Sequence, residues 1–130
     1  PIGEVSLSAA DLKLTGEAPA DETGHSVAGV GDVIGDGVDD LAVGASGDDG
    51  GGAEAGATYV LYGPLPIGEV SLSAADLKLT GEAAGDRSGN AIATLDHDGD
   101  GFIDVAVGAY QNSGGGDHSG AAYLIYGLGY

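Results

Sequence analysis

An internal repeat is the feature of this chain that most constrains its fold. Residues 1–18 (PIGEVSLSAADLKLTGEA) recur letter for letter as residues 66–83, which is an offset of 65. The chain is 130 residues long, so it divides into two units, residues 1–65 and 66–130. A repeat of this length is typical of a supersecondary unit that buries its apolar face only by stacking on neighbours. We therefore predict two structural repeats with these bounds.

Short strand-like segments follow one another in the same order in both units. The first two segments of the unit alternate apolar and polar residues, which is typical of a strand with one solvent-exposed face. The other segments are runs of small or apolar residues. In the first unit the segments are residues 5–8, 12–15, 26–30, 41–45 and 58–62, and in the second they include 91–95, 105–109 and 122–126. The pattern predicts an all-β protein with two four-stranded antiparallel blades of a β-propeller, the strand 12–15 lying at the outer edge. A sandwich of eight strands is the alternative.

The charge balance restricts the partners. The formal net charge is −18, and the fixed positive charges are Lys13, Lys78 and Arg87. Such a chain would be repelled by nucleic acid and by anionic membranes, so a cation is the better partner. There are no cysteines, which excludes disulfides and thiolate metal sites. No apolar run is long enough to span a membrane. Pro1 in place of Met is compatible with a processed, secreted protein and also with a trimmed chain.

The most chemically specific stretch is an acidic loop at residues 96–104 (DHDGDGFID). Asp96, Asp98, Asp100 and Asp104 stand at loop positions one, three, five and nine, and Gly101 at position six permits a tight turn. Carboxylates this close repel one another unless a cation lies between them. Calcium, which takes six to eight oxygens, fits best, with the Phe102 carbonyl as a further ligand. An EF-hand is excluded, because position twelve is Val107 rather than Glu and the flanks are strand-like.

The first unit has a weaker version of the same loop at residues 32–40 (DVIGDGVDD). Asp32, Asp36 and Asp40 keep positions one, five and nine, and the Val38 carbonyl corresponds to that of Phe102. Position three is Ile34, which has no side-chain oxygen. We therefore expect one Ca²⁺ per repeat, bound more strongly in the second.

These elements, in this order, resemble the FG-GAP repeats of integrin α-subunits and their bacterial relatives. The resemblance covers nearly the whole chain twice and rests on residues 14–18 (LTGEA), 24–28 (GHSVA), 31–40, 41–45 (LAVGA) and 57–63 (ATYVLYG), with 79–89 and 105–109 in the second unit. The resemblance implies a calcium-binding β-propeller whose metal lies in the hairpin between the first two strands of a blade, held by the loop residues named above. The chain departs from the pattern at the Phe and Pro of the motif, which are Thr23 and Ser88, and Ser46 and Tyr110.

The resemblance also implies that each blade ends with an outer strand located after the linker. The first blade would then be completed by a strand within residues 69–80, whereas nothing follows residues 89–126 to complete the second. We therefore predict head-to-tail strand exchange, in which residues 1–18 of one chain complete the second blade of the next. Such a contact gives a homo-oligomeric ring or a filament.

Together these observations predict a calcium-stabilised, extracellular or cell-surface adhesion or structural module without enzymatic activity. His25, His97 and His118 are expected to be isolated surface residues, and no dinucleotide, nucleophile-elbow or zinc motif occurs. The alternative is a glycan- or protein-binding propeller that uses residues 46–56 and 110–120, where Tyr110 offers an aromatic ring.

Overall fold

The computed structural model describes residues 3–127 of the chain. Residues 1–2, at the start of the predicted exchanging segment, and residues 128–130 of the predicted second repeat lie outside the described residues. Within the described range there are nine strands, two short 3-10 helices and no α-helix. None of the helical segments in this range is long or apolar enough to cross a membrane.

The strands form three sheets. Their bounds are β1 Leu12–Thr15, β2 Thr23–Gly31, β3 Asp40–Ala45, β4 Ala57–Leu61, β5 Gly68–Ser71, β6 Leu77–Thr80, β7 Ser88–Leu95, β8 Asp104–Ala109 and β9 Ala121–Ile125. The first sheet has the order β2-β3-β4-β6, the second has β7-β8-β9, and β1 pairs with β5 alone. The first two sheets are antiparallel meanders, as predicted, rather than the crossed-over strands of a Greek-key sandwich.

The first sheet confirms the predicted outer strand. β6, which follows the linker, pairs antiparallel with β4, and Tyr59 lies opposite Lys78 in this register. The second sheet has three strands within the described residues, one fewer than the predicted blade of four, whose outer strand is predicted to come from another chain. β9 pairs with β8 along one edge, and no strand among residues 3–127 pairs with its other edge.

The N-terminal segment differs from the prediction in two ways. Residues 5–8 are not a strand, because a 3-10 helix covers Leu7–Ala9 and the Ser6 hydroxyl caps it by accepting a hydrogen bond from the Ser8 amide. The strand β1 is formed as predicted but pairs in parallel with β5, so that Lys13 lies beside Glu69. The second copy of the segment has an equivalent 3-10 helix at Leu72–Ala74.

The core has two parts, and one of them joins the two large sheets. Its buried members are Val30, Val33, Ala42, Val60, Val105 and Val107. The other part lies on the opposite face of the first sheet, where Leu72 of the second 3-10 helix is buried against Tyr59 and Leu61. The two sheets therefore pack side by side through a shared apolar core, with Thr23 and Ser88 at the ends of the contacting strands β2 and β7.

Candidate metal centre

Both acidic loops are hairpin connections between the first two strands of a sheet. The first joins β2 to β3 and the second joins β7 to β8. Each turn depends on left-handed glycines, including Gly37 with φ +87° and Gly101 with φ +88°. A side chain at such a position would be strained. The prediction that the glycine at loop position six permits the tight turn is confirmed.

The second loop brings three of its predicted ligands together. Asp96, Asp98 and Asp100 each offer a carboxylate oxygen within 4.8 Å of the others, and all three are exposed. Hydrogen bonds from the loop amides orient these oxygens: Gly101 N–H lies 2.9 Å from Asp96 Oδ2, and Phe102 N–H lies 2.9 Å from Asp100 Oδ1. The arrangement presents a cluster of oxygen ligands of the kind that calcium prefers.

Electrostatic crowding is visible at Asp100. The hydrogen bond from the Phe102 amide lowers the pKa of this carboxyl, but partial desolvation and the neighbouring carboxylates of Asp98 and Asp96 outweigh it, and the pKa lies above its usual value. Like charges disfavour ionisation of their neighbours, and a cation reverses this effect. The second loop therefore fits a divalent cation.

Asp104, the fourth predicted acid, lies deeper than the others. It is 1% exposed, and its Oδ1 accepts a hydrogen bond of 2.7 Å from Gly127 N–H. Its Oδ2 lies 2.7 Å from His97 Nδ1. The Gly127 amide, together with His97, holds the pKa of Asp104 below its usual value. The His97 N–H also donates to Oδ2, at 3.0 Å, so both lone pairs of Oδ2 are engaged and only Oδ1 keeps a free lone pair for a metal.

The structure corrects the prediction that His97 is isolated. Besides its contact with Asp104, its ring stacks on Tyr126 with centroids 4.3 Å apart. His97, Asp98 and Asp104 also form a second group whose ligand atoms lie within 4.8 Å of one another. The hydrogen bond with Asp104 raises the pKa of His97.

The first loop is closed mainly by its own amides. Asp32 accepts hydrogen bonds from the N–H groups of Gly35, Asp36 and Gly37 at 2.7, 3.1 and 2.7 Å. These hydrogen bonds, of which that from Gly37 has the largest effect, lower the pKa of Asp32. The Ile34 side chain packs against the core that joins the two sheets. Both groups of clustered ligands among residues 3–127 lie in the second loop.

The remaining predicted ligands of the first loop are placed as follows. Asp36 Oδ1 accepts a hydrogen bond of 3.0 Å from Val38 N–H. Asp40 is 3% exposed and holds the loop to both neighbours, since its Oδ2 accepts from Val33 N–H and its Oδ1 from Gly63 N–H, at 2.9 and 2.8 Å. Asp40 therefore anchors the loop in the same way as Asp104.

A second polar cluster, at the outer side of the first sheet, was not predicted. Asp48 is buried and accepts hydrogen bonds from Tyr59 Oη at 2.9 Å and Lys78 Nζ at 3.0 Å. Lys78 also reaches Glu17 at 3.2 Å and lies 5.1 Å from the centre of the Tyr59 ring. In the second sheet Asn112 takes the place of Asp48 and donates to Asp86 and to the hydroxyl of Tyr123.

His25 is also not isolated, which corrects a further prediction. Its Nδ1 lies 2.9 Å from the hydroxyl of the buried Ser46, which donates a hydrogen bond to Glu22 Oε2. The serine hydroxyl lies between the ring and the carboxylate, so the carboxylate does not orient the ring as it does in a catalytic triad. His118 is close to the prediction, since it is exposed and lies 3.5 Å from the exposed Asp117.

Comparisons with known proteins agree with the resemblance to integrin α-subunits. The chain is 47% identical to integrin alpha-IIb of Homo sapiens and 46% identical to that of Mus musculus, in both over 103 residues covering 75% of this chain and 10% of the integrin. It is 38% identical over 102 residues to phosphatidylinositol-glycan-specific phospholipase D of Rattus norvegicus, covering 71% of this chain and 12% of that protein. The chain thus spans about a tenth of the length of these relatives. No family model matches it.

Proposed function

We propose that this chain is a calcium-stabilised, extracellular or cell-surface adhesion or structural module of FG-GAP type. In this proposal its sheets are blades of a β-propeller, and copies associate head to tail through the N-terminal strand. The similarity to integrin alpha-IIb, the meander sheets and the acidic hairpin loops support the proposal. The proposed role is non-enzymatic, and the phospholipase relative is matched over only 12% of its length.

Calcium would have a structural role. Asp96, Asp98, Asp100 and Asp104, with the Phe102 carbonyl, would hold it in the second loop, and Asp32, Asp36 and Asp40, with the Val38 carbonyl, would hold it more weakly in the first. The ion would supply the positive charge that offsets the repulsion between the loop carboxylates. Because a ligand that binds only the folded state stabilises it, the metal would fix the β7–β8 hairpin against the rest of the second sheet.

The observation that carries the assembly proposal is the open edge of β9. In the first sheet the corresponding strand, β4, is covered by β6, whose sequence is Leu-Lys-Leu-Thr. β1 has the same sequence and belongs to the same repeated segment of 18 residues. A β1 strand from a second copy would therefore fit β9 in the register that β6 has on β4, with Lys13 opposite Tyr123.

The position of β1 is compatible with this exchange. It pairs with β5 along one edge, and its other edge carries no strand among residues 3–127. An extended strand has two hydrogen-bonding edges, so β1 could take β9 of another copy without leaving β5. The contact is heterologous, and it closes into a ring or continues as a filament according to its rotation.

Sedimentation velocity and negative-stain microscopy in calcium test the proposal. We expect oligomers, and we expect deletion of residues 1–15 to reduce them to monomers. A synthetic peptide of residues 1–18 should bind to the deleted chain, whereas a peptide of the same composition in scrambled order should not. A monodisperse monomer in calcium, or assembly that survives the deletion, would refute strand exchange.

The calcium part of the proposal is tested separately. Isothermal titration with Ca²⁺ should show binding to the folded chain, and EDTA should lower the melting temperature. An unchanged melting temperature would contradict a structural metal whether or not the chain assembles.

A further inference from the structure

Two positions that hold acidic residues in the first copy hold basic residues in the second. The copies align with an offset of 65 up to Val30 and of 64 from Asp32, because β2 has an irregular register between Gly29 and Gly31. Glu22 then corresponds to Arg87, and both have positive φ, +57° and +53°. Glu54 corresponds to His118, at +53° and +51°. The unusual backbone shared within each pair shows that these positions are equivalent, although their charges differ.

Three of these residues meet where the first sheet contacts the second. Arg87 Nη1 lies 2.9 Å from Glu22 Oε2, and Arg87 Nη2 lies 2.7 Å from Glu54 Oε1. Main-chain groups of the second sheet also donate hydrogen bonds to the first. Arg87 N–H donates to Glu54 O at 3.1 Å, and Ser88 N–H donates to Ala55 O at 2.8 Å. Around Arg87 the first sheet supplies two acids and carbonyl acceptors and the second supplies a base and amide donors, whereas Ser26 Oγ of the first sheet donates to Gly89 O of the second at 2.7 Å.

In the second sheet the positions equivalent to Glu22 and Glu54 carry no acid. Arg87 occupies the place of Glu22, and His118 occupies the place of Glu54. A following first sheet, brought by a second copy, would present Glu22 in the place that Arg87 has at the internal junction. Its acid would then face the His118 imidazole and lie near the Arg87 guanidinium, which also pairs with Glu22 and Glu54 of its own copy.

Other pairings of sheets would be unfavourable. A first sheet docked on another first sheet would place Glu22 of one copy against both Glu22 and Glu54 of the other. A second sheet docked on another second sheet would place two Arg87 side chains together beside His118. Juxtaposed like charges oppose such pairings and thereby fix the order in which copies follow one another.

The glycines of the junction are duplicated as well. At the internal junction, a Cβ atom on Gly44 would collide with the carbonyl oxygen of Gly89. The equivalent residues on the outer faces are Gly108 and Gly24. A Cβ on Gly108 would have its nearest neighbour at 3.4 Å, and one on Gly24 would have none within 4 Å. The free faces thus have the same small residues that let the backbones approach at the internal junction.

We infer that the outer face of the second sheet, formed around Gly108 and His118, is a docking surface for the first sheet of a second copy of this chain, whose Glu22 it receives. The inference rests on the head-to-tail assembly proposed above and deepens it by naming the side chains that set its polarity. Around such an assembly the acids and bases would alternate from sheet to sheet.

His118 is the side chain to change, because Glu22 and Arg87 also pair within one copy. The self-association constant, measured by sedimentation equilibrium in calcium, is expected to fall about tenfold in His118→Glu and to rise several-fold in His118→Arg, as for single charge pairs at interfaces. His118→Gln controls for the size of the side chain. Ala74→Glu, which adds the same charge at an exposed site on the outer edge, is expected to behave like the parent chain. High salt should diminish the difference between the His118 variants.

Gly108→Ala tests the close approach independently of charge. We expect it to leave the free energy of unfolding of the monomer unchanged and to abolish association. If the parent chain assembles but Gly108→Ala and the His118 variants associate like it, this docking surface is wrong and strand exchange alone remains. If deletion of residues 1–15 also leaves assembly intact, strand exchange is wrong as well. A parent chain that stays monomeric overturns both proposals.

Discussion

Leu7 and Leu72 occupy the same position of the repeated segment, yet Leu7 is 88% exposed and Leu72 is 1% exposed. Leu72 packs in the core on the outer face of the first sheet, against Tyr59 and Leu61. The residues that line the equivalent place in the second sheet are Val107, Ala109, Ala121, Tyr123 and Ile125, of which Ile125 is 38% exposed. Val107 and Ala109 of this set are buried, Val107 in the core between the sheets, so an exposed leucine and a partly covered apolar site of matching composition lie in the same molecule.

Matched alanine substitutions exploit this difference. Leu72→Ala is expected to lower the free energy of unfolding of the monomer by about 2–5 kcal/mol, because it leaves a cavity in a packed core. Leu7→Ala is expected to change it by less than about 0.5 kcal/mol, since the side chain lies in solvent. Urea unfolding at concentrations where the chain is monomeric provides the measurement.

The same pair also tests the assembly. If Leu7 enters the second sheet of another copy, Leu7→Ala should weaken association by about 2 kcal/mol, or roughly 30-fold. Equal association of Leu7→Ala and the parent chain, measured by sedimentation, would show that Leu7 does not become buried.

The calcium loops lead to a second prediction. Asp98→Asn is expected to reduce the affinity of the stronger calcium site about tenfold or more, because it removes one of three clustered charges. Asp117→Asn removes the same charge at a side chain that is 95% exposed, and it should leave the affinity unchanged. Isothermal titration distinguishes them, and an equal response of the two variants would indicate diffuse attraction rather than a site.

Much of the fold could be predicted from local patterns. Six strands lie close to the predicted segments, namely β2, β3, β4, β7, β8 and β9. In each, a run of small or apolar residues predicts the strand, and the flanking glycine and aspartate residues predict where it ends. The outer position of β6 followed from its alternation. The 3-10 helices were missed, since the alternation at residues 5–8 resembles a strand until the Ser6 cap is considered.

Long-range pairings could not be predicted in the same way. The parallel pairing of β1 with β5 joins residues more than fifty positions apart, and no local pattern encodes it. The partners of His97 and Asp48 depend similarly on how strands align, whereas the clustering of Asp96, Asp98 and Asp100 follows from spacing within one turn. Local spacing thus predicted the candidate ligands, and tertiary packing determined which of them are buried.

A third prediction concerns the contact between the sheets. Gly44→Ala should destabilise the monomer by about 1–3 kcal/mol or more, because the new methyl group would overlap the Gly89 backbone, which cannot give way like a flexible side chain. Gly29→Ala is the matched control, since neither glycine has a positive φ and a Cβ on Gly29 meets nothing within 4 Å. Thermal unfolding of both variants gives the comparison. Equal stability would contradict the close approach of the two sheets.

The last prediction concerns pH and Asp48. Burial would raise the pKa of this carboxyl, but hydrogen bonds from the Gly50 amide, Lys78 and Tyr59 outweigh burial, and the pKa lies below its usual value. A carboxyl whose pKa is lower in the folded state contributes stability that is complete above the unfolded pKa of about 3.9 and is lost as the pH falls through the folded value. Acid should therefore weaken the parent chain partly through this residue.

Asp48→Asn isolates that contribution. The amide can still accept the hydrogen bond from Gly50 N–H, as Asn112 accepts that of Gly114 at 2.9 Å, but it cannot form the ion pair with Lys78. We expect the variant to be less stable by about 1–3 kcal/mol at pH 7 and to lose less stability between about pH 5 and pH 3. Urea unfolding at each pH gives both quantities. Parallel pH profiles for the two chains would mean that Asp48 titrates alike in the folded and unfolded states, and that its contacts with Lys78 and Tyr59 do not favour the charged form.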